Sequence, residues 1–134
     1  MITVTAAIIV SNRKVLITKR SENMSIPNLW EFPGGKLKEN ESLEDCVVRE
    51  INEELRVRIK VLRHFTTNHH RYDFGYIKLI SFITKIESGF IELKEHADIK
   101  WVGVDDLSNY KFAPADIPVV RKLEEEGIWA SIQD

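Results

Sequence analysis

Residues 42–55, SLEDCVVREINEEL, constrain the fold more than any other stretch, because they read as a helix that cannot keep its acids off its apolar face. Ser42, followed three residues on by Asp45, is a capping-box-like start, and the helical pattern runs to about Leu55. At about 100° per residue, Leu43, Val47, Ile51 and Leu55 share one sector of roughly 120°, the face for a core. Glu54 falls between Leu43 and Val47, inside that sector. Glu50 lies at its edge, and Glu53 comes next round. A charged flank solvated by water would put these acids opposite the core, where Asp45 sits.

Glu50, Glu53 and Glu54 also stand at i, i+3 and i+4, where like charges repel by a few tenths of a kcal/mol per pair. Partial burial sharpens that cost, so such a carboxylate either takes a proton or finds a cation. Arg49 compensates one charge, not three. Oxygen-only ligands suit magnesium or manganese, which accept one or two carboxylates and leave positions for a phosphate.

The rest of the chain supplies strands around this helix. TVTAAIIV (3–10) reads as a buried strand, SNRK (11–14) as a turn, and KVLITKR (14–20) as the next strand. SENMSIPNLWEFPGGKLKENE (21–41) is rich in Pro, Gly and Asn and reads mostly as loop, with FPGG as a turn that lets backbone approach a ligand. VRIKVLRHFT (57–66) and GYIKLISFITKI (75–86) read as antiparallel neighbours, and ADIKWVGV (97–104) as a further strand before the acidic turn DDL. DIPVVRKLEEEG (116–127) has an Asp cap, an early Pro and a final Gly, the marks of a last helix. Strands interrupted by two separated helices imply an α/β fold with a mixed sheet and helices on its faces. The length of 134 residues fits one domain, 1–134.

Composition narrows the partners. The net charge is −2, with basic and acidic residues mixed throughout, which argues against an extended nucleic-acid groove. No apolar run is long enough to span a bilayer, and MITVTAAIIV has neither a basic region nor a cleavage site. Cys46 is the single cysteine, so a reducing cytoplasm is the expected compartment. It reads as a small buried apolar residue. His69 and His70 are neighbours on a strand and point to opposite faces, so they read as ordinary strand residues, at most one facing a cleft. Trp30 and Phe32 read as packing residues under the loop, with stacking on a base as the alternative.

GKLKENESLEDCVVREINEELRV (35–57) resembles the Nudix box, G-x5-E-x7-R-E-U-x-E-E-x-G-U with U aliphatic. Gly35, Glu41, Arg49, Glu50, Ile51, Glu53, Glu54 and Val57 match at the right spacing. Arg56 stands where the family has glycine, which sets the helix-ending turn a cost on the order of 1 kcal/mol. WEFPGG (30–35), KR (19–20), Glu95 six residues before Trp101, and FAPADIP (112–118) are similar to the MutT-type branch.

The resemblance implies an α/β/α sandwich and hydrolysis of nucleoside triphosphates, CTP-like or 8-oxo-dGTP, to monophosphate and pyrophosphate. It implies that Glu50, Glu53 and Glu54 hold magnesium (or manganese), with the carbonyl of Gly34 and with Glu95 close by. Arg49 is then the orienting residue, bonding carboxylates such as Glu41. Glu50, Glu53 and Glu95 are each candidates for the general base. Arg20 is placed to clamp a phosphate, Gly35 to let the substrate approach, and Asp116 to read the base. An ionised aspartate only accepts, which favours a base edge with N–H donors such as the amino group of cytosine; a protonated one also donates. Competing implications are ADP-ribose, a dinucleotide or a capped RNA end as substrate, or a binding module without catalysis. The expected assembly is a monomer or homodimer.

Overall fold

The computed structural model describes residues 1–126. Its centre is β1 (Ile2–Ser11), whose apolar run serves two cores at once. Ala6, Ile8 and Val10 join one cluster, while Ala7 and Ile9 point to the other. That is the period-2 alternation of a strand buried on both faces, and it explains why the run is apolar throughout. β2 (Lys14–Lys19) repeats the pattern, with Val15 and Ile17 on one side and Leu16 on the other. The turn between them has Asn12 and Arg13 at φ 49° and 62°, the left-handed pair that matches a two-residue hairpin to strand twist.

The expected loop at 21–41 contains two short strands, β3 (Trp30–Glu31) and β4 (Gly34–Lys36). FPGG is therefore not a turn: β4 lies antiparallel on β1, pairing Val4 with Lys36, Thr5 with Gly35 and Ala6 with Gly34. A Cβ on Gly34 would collide with the backbone oxygen of Thr5, so the glycine permits a close strand approach.

Helix α1 (Leu43–Leu55) follows, with Ser42 Oγ accepting from the N–H of Asp45 at 3.0 Å. Arg56 ends it at φ 62° and closes the turn by donating to the carbonyl of Asn52. The arginine thus adopts the conformation that glycine would take without strain.

β5 (Arg58–Tyr72) and β6 (Gly75–Ser88) form the expected antiparallel pair, but β5 runs six residues past the expected end at 66. TNHHRY is polar and carries no strand signature of its own; its partners on β6 impose the conformation. β7 (Asp98–Gly103) pairs with β2, and a 3-10 stretch at Val104–Asn109 contains the acidic turn. A second 3-10 turn (Pro114–Asp116) leads into α2 (Ile117–Glu126). Asp116 is not an N-cap of this helix, because its Oδ1 accepts from the N–H of Phe32 instead. The Gly expected to end the helix lies outside the described residues.

The strand order is β3-β2-β1-β6-β5, with β4 also on β1 and β7 also on β2. β1 and β6 run parallel and the other pairs antiparallel, giving the mixed sheet. Val47, Ile51 and Leu55 of α1 cover one face; Val119, Val120 and Leu123 of α2 cover the other. No helix among the described residues is long and apolar enough to cross a membrane.

Candidate active site

The acidic edge of α1 is placed as the helical wheel requires. Glu54 and Glu50 side chains are 15% and 17% exposed, whereas that of Glu53 is 54% exposed. Arg49 organises the cluster through all of its guanidinium nitrogens. Its Nε donates to Glu41 Oε2 at 2.6 Å, and its Nη2 donates to Glu41 Oε1 at 2.9 Å, a bidentate fork. Nη1 reaches Glu50 at 3.0 Å and Glu53 at 3.2 Å, and Nη2 also donates to the carbonyl of Lys36 at 3.1 Å. The fork from Arg49 holds the Glu41 carboxyl down at about 2, and the same bonds push the guanidinium further above its usual range. Arg49 thereby ties the β4 backbone, the segment before α1 and two of its glutamates into one unit.

Gly35 has a structural reason of its own. A Cβ there would occupy the space of the Glu50 carboxylate, so the glycine admits that side chain against β4. Cys46 is fully buried beneath this corner, its Sγ 3.3 Å from Thr5 Oγ1, and burial pushes the thiol up. It packs there as a small apolar residue.

Glu54 is in a different condition. Burial first, then the charges of Glu31, Glu50 and Glu95, push its carboxyl up to about 9. Its Oε2 has no hydrogen-bond partner among the described residues. No three carboxylate, thiol or imidazole groups among those residues converge closely enough to form a ready metal cluster. Arg49 draws Glu50 and Glu53 to itself, leaving Glu54 facing inward. The donors present are nonetheless all oxygen, one of them buried and unsatisfied, and they fit a hard divalent cation.

A cleft of about 300 Å³ joins this edge to the other candidates: Arg20, Gly34, Gly35, Glu54, Glu95 and Asp116 all line it. Glu50, Glu53 and Arg49 stand beside it rather than in its lining. Arg20 donates to Glu31 Oε1 at 2.6 Å and to the Ser25 carbonyl at 2.6 Å, so its guanidinium is fixed at the cleft wall. Asp116 is 6% exposed, and burial first, then the Glu31 charge, push its carboxyl well above the usual range. Burial thus favours the neutral form of Asp116, the one in which its carboxyl donates as well as accepts.

Tyr72, whose hydroxyl accepts from the N–H of Ala115 at 2.8 Å, and Asn68, which donates to the Ala115 carbonyl at 2.8 Å, fix the backbone beside Asp116. Phe32 stacks on Phe112 with ring centroids 5.5 Å apart, and Trp30 packs edge-on to Tyr110 at 5.3 Å. Both are packing residues as expected, although Phe32 also lines the cleft. His69 is exposed, and His70 packs against Tyr72 with centroids 4.4 Å apart.

Glu31 and His96 are two cleft residues to which the sequence reading assigned no role. His96 Nε2 lies 2.8 Å from Glu31 Oε2. The only signals for them were adjacency, Glu31 to the FPGG stretch and His96 to Glu95.

A carboxylate-rich helix edge and a glycine-walled strand thus flank one cleft on an α/β/α frame. The family model for the NUDIX domain matches residues 1–123, and the chain belongs to that family. It is 36% identical over 118 residues to the 8-oxo-dGTP diphosphatase of Buchnera aphidicola subsp. Schizaphis graminum (strain Sg), covering 88% of this chain and 89% of that one. It is 32% identical over 121 residues to the CTP pyrophosphohydrolase of Escherichia coli (strain K12), covering 90% of each. A solved structure described as DNA mismatch repair protein MutT, family Nudix hydrolase, from methicillin-resistant Staphylococcus aureus 252 superposes with a TM-score of 0.76. It shares 42% identity over 94% of this chain and 97% of that one.

Proposed function

We propose that the protein hydrolyses nucleoside triphosphates to nucleoside monophosphate and pyrophosphate with a divalent cation, magnesium before manganese. The observation that carries this reading is one cleft whose lining includes both Glu54, with its Oε2 buried and unsatisfied, and the buried Asp116. The first is suited to a cation beside phosphates, the second to a base edge. The similarity to a diphosphatase and a pyrophosphohydrolase of nucleotides supports it.

When bound, the cation supplies positive charge to the triphosphate and to the departing pyrophosphate. Glu50, Glu53, Glu54 and Glu95, with the carbonyl of Gly34, are the groups that would hold it. Arg49 keeps Glu50 and Glu53 in place through its bonds to both and to Glu41. Arg20, fixed by Glu31 and Ser25, presents its charge to phosphate oxygens from the cleft wall. Water attacks phosphorus, the bond to the bridging oxygen breaks, and a carboxylate (Glu50, Glu53 or Glu95) takes the proton.

In the neutral form that burial favours, Asp116 complements an edge that pairs one acceptor with one donor. Cytosine offers N3 beside its amino group, and 8-oxoguanine offers O6 beside the protonated N7. Guanine itself presents two acceptors, N7 and O6, on that edge. Adenine also pairs an acceptor with a donor. It is therefore the similarity to an 8-oxo-dGTP diphosphatase and a CTP pyrophosphohydrolase that favours a small nucleotide of cytosine or oxidised-guanine type. The site of action is the reducing cytoplasm that suits a lone buried thiol.

The test is pyrophosphate release across CTP, dCTP, 8-oxo-dGTP, dGTP and ADP-ribose with magnesium. Turnover of the cytosine nucleotides or of 8-oxo-dGTP well above dGTP is expected. Cleavage of ADP-ribose alone would overturn the triphosphate reading. Equal rates on all bases would overturn the role of Asp116.

A further inference from the structure

The two buried side-chain polar atoms without a partner among the described residues face one another. Glu54 Oε2 and His96 Nδ1 are 3.9 Å apart, too far for a hydrogen bond. About 1 Å of movement by the Glu54 carboxyl would close the gap. The imidazole side chain is 2% exposed.

His96 is held from behind. Its Nε2 is 2.8 Å from Glu31 Oε2, and the other Glu31 oxygen accepts from Arg20 at 2.6 Å. Arg20 is in turn fixed to Ser25. The next residue along, Ala97, donates its N–H to the Lys19 carbonyl at 2.8 Å, anchoring the loop to the end of β2. A ring braced at its far nitrogen and along its backbone presents its near nitrogen at a fixed point. What it presents that nitrogen to is Glu54, the glutamate on the acidic edge of the helix that Arg49 does not hold.

We propose that His96 is the positioning residue for Glu54, doing from the β7 side of the cleft what Arg49 does for Glu50 and Glu53 from the β4 side, an inference that rests on reading Glu54 as a cation ligand. A carboxylate with one oxygen fixed by an outer partner turns its other oxygen to a cation without first losing rotational freedom. Removing such outer partners typically weakens metal binding about 10–100-fold. The two sets of braces differ in where they lead. Arg49 ties its glutamates to the strand under the box, whereas His96 ties Glu54, through Glu31 and Arg20, to the wall that faces the phosphates.

The experiment is a Mn²⁺ titration of the metal-free protein without nucleotide, with free Mn²⁺ read by electron paramagnetic resonance. Wild type, Glu54→Gln, His96→Ala, His96→Asn, His96→Gln and the double variant Glu54→Gln/His96→Ala are compared. His96→Ala is expected to raise the dissociation constant about 10–100-fold. Asparagine carries its amide at the chain position of Nδ1 and is expected to restore binding to within about threefold, while glutamine, which matches Nε2 instead, does not. In the Glu54→Gln background, removing His96 adds less than about threefold, because the partner it positions is gone.

Wild-type affinity in Glu54→Gln would overturn the reading of Glu54 as a ligand and the proposal with it. Weakened binding in Glu54→Gln with wild-type affinity in His96→Ala would overturn the role of His96 alone. If His96→Ala does not fold, the contrast between asparagine and glutamine decides, and equal affinities in those two would overturn the proposal.

Discussion

The two helices that close the faces of the sheet bury different things. α2 turns Val119, Val120 and Leu123 inward and keeps its charges outside, where Lys122 and Glu126 form an i,i+4 pair at 3.5 Å. α1 buries Val47, Ile51 and Leu55 in the same manner but also carries Glu50 and Glu54 into the protein. One helix obeys the solvated-flank rule and the other breaks it along a single edge. That edge carries Glu54 into the lining of the cleft, so the misplaced charge, rather than the helix as a whole, points to the proposed site.

If the helices differ only along that edge, their apolar faces should be equivalent. Ile51→Ala and Leu123→Ala are each expected to cost about 2–5 kcal/mol in denaturant unfolding. A much smaller loss at either would break the symmetry of the two cores. Gly35→Ala sharpens the comparison on the acidic side. Its Cβ displaces the Glu50 carboxylate, and steady-state turnover is expected to fall about a hundredfold, while the apolar faces of both helices stay packed. Retained turnover would show that Glu50 need not occupy that place.

The difference should also appear as pH dependence of stability in the metal-free protein. Glu54 has its folded-state carboxyl raised to about 9 from 4.5, so the folded state binds more protons than the unfolded one between those values. Its contribution is favourable at low pH and is lost as pH rises through that window, at up to about 1.4 kcal/mol per pH unit. Urea unfolding of wild type minus Glu54→Gln, from pH 5 to pH 9, isolates it. A flat difference would contradict the burial of Glu54. The smallest effect lies at the end of α1: Arg56→Gly relieves a left-handed arginine and is expected to stabilise by about 0.5–1 kcal/mol.

Much of this contrast is legible in the residues. The 3.6-residue period of 42–55 places Glu54 inside the apolar sector before any coordinates exist, and the continuous run TVTAAIIV announces a strand with two buried faces. What stays hidden is imposed from elsewhere. β4 is made of Gly34, Gly35 and Lys36, residues without strand preference, and exists because β1 offers an edge that glycines can approach. The polar end of β5, residues 67–72, is shaped by its pairing with β6. Glu31 and His96 are far apart in the chain and meet at 2.8 Å only once β2 has brought β3 and β7 to its two sides. No local pattern encodes such a meeting. The upward push on the Asp116 carboxyl is likewise a product of tertiary burial, which its sequence neighbours do not reveal.

The measurement that tests the central claim most directly is made on one variant, Glu54→Gln, with two readouts. Pyrophosphate release should fall at least about a hundredfold with magnesium present. The thermal midpoint of the metal-free variant at pH 8 should stay level or rise, since a buried, unsatisfied acid has been replaced by a neutral amide. Turnover equal to wild type, or a marked loss of stability with no effect on catalysis, would mean that Glu54 is buried for the fold and not for the reaction.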